Sequence, residues 1–247
     1  MLESISDPFS KYATFGSYPI DDKLHLQFPK TNLSLKKESS DRYSYHRISA
    51  ASEQKQVLDM GSKIKLHVCP VLPLNLPEHK TSLLYLDIST PLSVGKGMTS
   101  KITLQYPVEI GVFVECNSEY DLIDCFSCDP LLSRFALYGS PTDGYFCKYA
   151  FVEFADDNID NYCFAKMDVH IINNTNTPAK ISKVIFDASQ QDVFYSEDGV
   201  FVESLNMVIE SKNKATINCE SFTKDCSKSI KLQAKESEFF VMTEGYD

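Results

Sequence analysis

Polar and apolar residues alternate with a period of two over much of this chain, the pattern of strands with one face buried. Lys63-Ile64-Lys65-Leu66-His67-Val68 is a clear run, and prolines at 70, 73 and 77 end it because each removes a ladder donor. Residues 82–89, rich in Leu and Ile, predict the next strand, and 91–97, with Pro91 and Gly97, a connection. Lys101-Ile102-Thr103-Leu104-Gln105-Tyr106 alternates again; Pro107 breaks it, and 108–116 reads as a further strand. Short strands punctuated by Pro and Gly every 8–12 residues or so point to a sandwich or a barrel.

The middle differs. Residues 120–132 carry apolar side chains at 122, 123, 126 and 131, a spacing read here as a short helix or irregular turn. Residues 134–138 and 145–154 flank Gly139-Ser140-Pro141-Thr142-Asp143-Gly144, whose turn formers suit a hairpin. Asp156-Asp157-Asn158-Ile159-Asp160-Asn161 is a polar, acidic interruption and the candidate domain boundary. Beyond it, 166–172 and 180–186 read as strands around an Asn- and Thr-rich connection ending in Pro178. A Glu197-Asp198-Gly199 hairpin follows, then strands at 206–210, 215–219, 229–233 and 238–242.

The expected fold is therefore all-β: antiparallel β-sandwich, as two tandem immunoglobulin-like units with few short helices. A larger domain is expected over 1–155, including an N-terminal extension, and a smaller one over 161–247. Residues 83–102 and 167–185 share a strand, an Asn- or Ser-Thr-Pro connection and a strand. That is either a duplicated unit or the ordinary likeness of two sandwich hairpins.

Charge and termini narrow the partners. Lys plus Arg number 24 against 34 Asp plus Glu, a net of -10. Such a surface repels phosphate backbones, so neither nucleic acid nor an anionic membrane is expected as a partner. No stretch reaches the roughly 18 apolar residues of a spanning helix, and the first residues lack the pattern of a secretory signal. The expected compartment is the cytoplasm, where the 8 cysteines stay reduced.

Three constellations carry candidate chemistry. Asp41-Arg42-Tyr43-Ser44-Tyr45-His46-Arg47 holds two of the chain's three arginines. As a strand it would put Arg42, Ser44 and His46 on one face and Tyr43, Tyr45 and Arg47 on the other. Arg42, Tyr43, Tyr45, His46 and Arg47 form a candidate anion-binding set, because Arg offers a planar donor fork and Tyr a stacking surface. The bland alternative packs the tyrosines inward and pairs the arginines with acids. Cys125-Phe126-Ser127-Cys128 is a C-x-x-C spacing at which two thiolates can meet one metal ion, although two further ligands are needed. Asp156-x-Asn158-x-Asp160 matches the start of a calcium loop but has Asn161 and Met167 where Gly and Glu belong. No phosphate-binding loop, nucleophile elbow or H-E-x-x-H zinc motif occurs, and no cofactor is expected.

Four motifs come in a familiar order: Phe15-Gly16-Ser17-Tyr18; the Arg42-to-Arg47 run; Tyr106-Pro107-Val108-Glu109-Ile110-Gly111-Val112; and Leu137-Tyr138-Gly139-Ser140-Pro141-Thr142-Asp143-Gly144. Together they resemble an archaeal family catalogued as domain of unknown function 432, most closely outside the carboxy-terminal third. The resemblance implies an archaeal source and a shared scaffold, and it carries over no catalytic residue. The expected function is a non-enzymatic binding or protein-interaction module, presenting loops or a sheet edge to a partner protein or to itself as a homodimer. The alternatives are an enzyme or sensor for a small anionic ligand at Arg42–Arg47, and a metal or redox site at Cys125 and Cys128.

Overall fold

The computed structural model describes residues 12–50, 52–61, 64–116, 119–128, 134–156, 158–212 and 214–232. In chain order the strands are β1 (Gly16–Pro19), β2 (Lys23–Phe28), β3 (Thr31–Lys37), β4 (Arg42–Ser49), β5 (Glu53–Asp59), β6 (Lys65–Val71), β7 (Leu83–Val94), β8 (Thr99–Pro107), β9 (Glu109–Cys116), β10 (Glu119–Phe126), β11 (Arg134–Tyr138), β12 (Tyr145–Val152), β13 (Phe164–Asn173), β14 (Ala179–Asp187), β15 (Val193–Ser196), β16 (Gly199–Val202), β17 (Ser204–Ser211), β18 (Lys214–Glu220) and β19 (Ser227–Lys228). One 3₁₀ turn, Ala188–Gln190, is the helical element among the described residues. None of these residues forms a helix long and apolar enough to cross a membrane. The all-β expectation holds, and most pairs are antiparallel; β12 on β7 and β13 on β16 and β17 are parallel.

The chain forms two compact units, each from separated segments. Unit 1 comprises 1–69 and 110–128, and unit 2 comprises 70–109 and 129–247. The polar 156–161 segment joins β12 to β13 inside unit 2.

In unit 1, β2-β3-β4-β5 is an antiparallel meander, and β1-β6-β9-β10 is a second sheet. The alternating sequence dictates the core: Leu33 and Leu35 of β3 and Tyr43 and Tyr45 of β4 all point inward with at most 1% exposure. Full burial of such a side chain contributes about 1.5–3 kcal/mol. Phe28 meets Phe126 edge-on at 5.7 Å.

The helix or turn expected at 120–132 is, over its described part, strand β10, paired antiparallel with β9. Its register slips between Leu122 and Asp124. This bulge adds one residue and breaks the two-residue period, so the apolar spacing imitates a helical one. Residues 129–133 lie outside the described residues.

Unit 2 holds two sheets, in the orders β11-β12-β7-β14 and β18-β17-β13-β16-β15-β19, with β8 also on β13. Leu84, Leu86, Val184, Leu104, Met167, Val169 and Leu205 are among its buried side chains. The expected hairpin is β11 and β12, with Tyr138 opposite Tyr145. Gly139 takes a φ of +116° in its turn, and a Cβ there would press to 3.0 Å from Gly144 Cα. Strand β7 continues through Pro91, where a connection was expected. Pro91 falls between the pairs Lys183–Asp87 and Ile181–Leu92, where the register breaks, so its missing N–H removes no ladder bond. The two similar segments, 83–102 and 167–185, embrace each other: β7 pairs with β14, and β8 with β13.

One buried polar cluster ties the loop after β6 into unit 2. Glu109 and Lys148 are 0% and 1% exposed. Glu109 Oε2 accepts the Asn75 backbone N–H at 2.9 Å and Asn75 Nδ2 at 3.0 Å, and Oε1 accepts the Leu76 N–H at 3.1 Å. Lys148 Nζ donates to the Leu76 carbonyl and lies 5.0 Å over the Phe135 ring. Burial raises the Glu109 carboxyl above its ordinary range, against the Asn75 N–H groups and the Lys148 charge.

Candidate functional site

The five residues of the arginine-rich segment share strand β4 but divide between its faces. Tyr43, Tyr45 and Arg47 are buried; Arg42 is exposed and His46 half-buried. Each basic side chain meets an acid: Arg42 with Asp59 at 3.2 Å, His46 with Glu53 at 2.8 Å, and Arg47 with Asp124 at 2.5 Å. Arg47 also donates through Nη2 to Asp124 Oδ1 at 3.4 Å and through Nη1 to Ser52 Oγ at 2.9 Å, and its guanidinium lies 5.3 Å over Phe126. Tyr45 donates its hydroxyl to Asp124 Oδ2 at 2.7 Å. The planar fork that could grip an external anion is thus closed on Asp124.

Cys125 is half-buried on β10 and Cys128 buried just beyond it; both carry thiols rather than disulfide sulfurs. Among the described residues no group of three or more His, Cys, Asp or Glu side chains could hold a metal ion. Asp156 and Asp160 accept the backbone N–H groups of Asn158 and Tyr162, each at 2.9 Å, so these carboxylates brace their own turns.

A broad, open groove lies in unit 2, along strands β14 and β18. Among the described residues both are terminal strands of their sheets, so each leaves one row of backbone groups that no described strand pairs. The groove encloses about 2190 Å³ including its open mouth. Phe186, Met207, Ile209 and Ile217 contribute its apolar floor, and Lys180, Lys183, Lys212 and Lys214 its basic groups; no lining residue is acidic. In a chain of net charge -10 this is a local inversion of sign.

The lysines differ in freedom. Lys214 pairs with Glu210 at 2.5 Å. Lys183 lies 5.2 Å over the Tyr138 ring and 5.9 Å over Tyr85. Tyr138 and Tyr145 flank the groove with 39% and 55% of their surface exposed. Behind them, Tyr149 donates to Asp87 at 2.7 Å; that bond first, and burial second, push its phenol up to about 12.

Sequence reasoning passed over this groove, because its lysines sit in pairs some thirty positions apart and read as scattered solubility charges. The available signal was weaker: Lys180 with Lys183, and Lys212 with Lys214, each beside an apolar alternating run. A family model described as "Protein of unknown function (DUF432)" matches residues 14–243. No curated protein and no solved structure matches the chain.

Proposed function

We infer that this chain, which belongs to the DUF432 family of proteins of unknown function, is a binding module that takes an extended, acidic segment of a partner protein into the β14–β18 groove. The observation that carries this reading is the acid-free, four-lysine lining of a groove bounded by two terminal strands. An added strand can satisfy the open backbone row of β14, while its acidic side chains meet the lysines and its apolar ones the floor. Strand addition supplies affinity through main-chain hydrogen bonds, and the lysines supply the choice of partner.

The test is fluorescence anisotropy with a labelled peptide of alternating Glu and Val, nine residues long to match β14. Binding is expected to weaken with salt. Lys180→Glu with Lys212→Glu should cost about two- to thirtyfold in Kd, from about 0.2–1 kcal/mol per exposed pair. N-methylation at alternate peptide positions should abolish binding if a strand is added. Equal affinity for a Lys/Val peptide, or an unaffected double variant, overturns the reading. A double variant that self-associates while its peptide affinity is unchanged assigns the lysines to edge protection instead. Binding of a second copy in place of the peptide, seen as a concentration-dependent dimer, also overturns it.

A further inference from the structure

The buried cluster of unit 2 brings together an amine, a carboxamide and a carboxyl group that the groove does not use. We propose that Lys148 and Asn75 become joined by an intramolecular isopeptide bond, with Glu109 as its acid–base catalyst. Glu109 Oε2 sits 3.0 Å from Asn75 Nδ2, the nitrogen that would leave. Lys148 Nζ is held at the carbonyl of the next residue, Leu76, whose own N–H is bound to Glu109 Oε1. The carboxamide and the Leu76 N–H thus meet the Glu109 carboxyl, and the Lys148 charge acts on that same carboxyl. Lys148 and Glu109 are at most 1% exposed, so the attacking amine and its acid–base partner are held away from bulk water.

Such burial favours the neutral forms of an amine and a carboxyl over the charged ones. A proton passes from the Lys148 ammonium to the Glu109 carboxylate, leaving both neutral; Nζ then attacks Asn75 Cγ, and a new C–N bond forms. Glu109 passes a proton to the departing Nδ2 and recovers one from Nζ. The old Cγ–Nδ2 bond breaks, and one ammonia leaves. Amine plus amide gives amide plus ammonia, so no oxidant or other reagent is needed. Asn75 also lines a small recess of unit 2, beside Gln191 and Ser229, through which ammonia can depart. Holding the reactants in place is the main contribution to the rate, because an oriented intramolecular attack gains the entropy a bimolecular one must supply.

The experiment is intact mass spectrometry of the purified full chain in denaturant, which reads the bond whether or not a variant folds. The expected mass is about 17 Da below the sequence mass, the loss of one ammonia. Digestion should release one branched peptide linking Lys148 to Asn75. Lys148→Arg and Glu109→Ala should each restore the full mass. A wild-type chain at full sequence mass overturns the proposal. So does a mass deficit that persists in Lys148→Arg, or one that maps to a cyclised asparagine with no branched peptide.

Discussion

The sharpest stability prediction concerns Asp124. Its carboxylate and the Arg47 guanidinium are both 7% exposed and in contact at 2.5 Å. Asp124→Ala would leave the Arg47 charge with only Ser52 Oγ and the Phe126 ring, and the Tyr45 hydroxyl without its acceptor. Removing one member of a buried ion pair costs about 3–5 kcal/mol, far above the 0–1 kcal/mol of a surface pair. Tyr45→Phe separates the contributions: it deletes one hydrogen bond and leaves the charges paired, so it should cost about 0.5–1.5 kcal/mol. The double variant should cost less than the sum, because the two residues share one acceptor. Replacing both charges, with Asp124→Leu and Arg47→Met, should recover most of the loss, since no uncompensated charge remains. The chain has no Trp, so urea unfolding is best followed by circular dichroism. A cost below about 1 kcal/mol for Asp124→Ala, or equal costs for Asp124→Ala and Tyr45→Phe, would refute this account of the network.

Three further outcomes follow from other sites. Asn173 is fully buried; its Nδ2 donates to the carbonyls of Val94, Gly95 and Thr177 at 2.9–3.0 Å, so Asn173→Ala should cost more than about 2 kcal/mol in the same urea assay. Burial works to raise the Asp168 carboxyl, but Lys101 and Thr103 outweigh it and hold it below its ordinary value. Its stabilisation is therefore complete above about pH 4 and is lost as pH falls through the lowered value, and Asp168→Asn should flatten that part of the stability profile. In thiol titration with an aromatic disulfide, exposed Cys219 should react before buried Cys147, whose thiol burial pushes up to about 11; early labelling of Cys147 would contradict its placement.

Much of the fold could be read from alternation alone. The strand expected at 63–68, found as β6 over Lys65–Val71 and running on through Pro70, the 134–154 hairpin and the division of β4 between a tyrosine face and an Arg42–His46 face all follow from the two-residue period. What escaped were breaks in that period. The β10 bulge made a strand look helical, and the register gap beside Pro91 let a strand run through a proline. The sites escaped for another reason: their parts are distant in sequence. Nothing near Arg47 announces Asp124, nothing near Lys148 announces Asn75, and the groove lysines gather only when β14 and β18 become sheet edges. Glu109 stood in a quoted motif, but as one polar residue in an apolar strand it carried no sign of its partners.

The interleaving of the two units sets an order of events on the ribosome. Unit 1 has all its segments once Cys128 has emerged, whereas unit 2 then has only 70–109. Strand β8 ends at Pro107, and Phe164, the first residue to pair with it in β13, follows roughly 60 residues later. At about 5–20 residues per second that is a wait of about 3–12 s with Leu104 and Tyr106 uncovered. Unit 1 is thus the first able to fold during synthesis. The unit bearing the groove and the Glu109 cluster closes last, and its waiting strands are the stretch of nascent chain most in need of a chaperone.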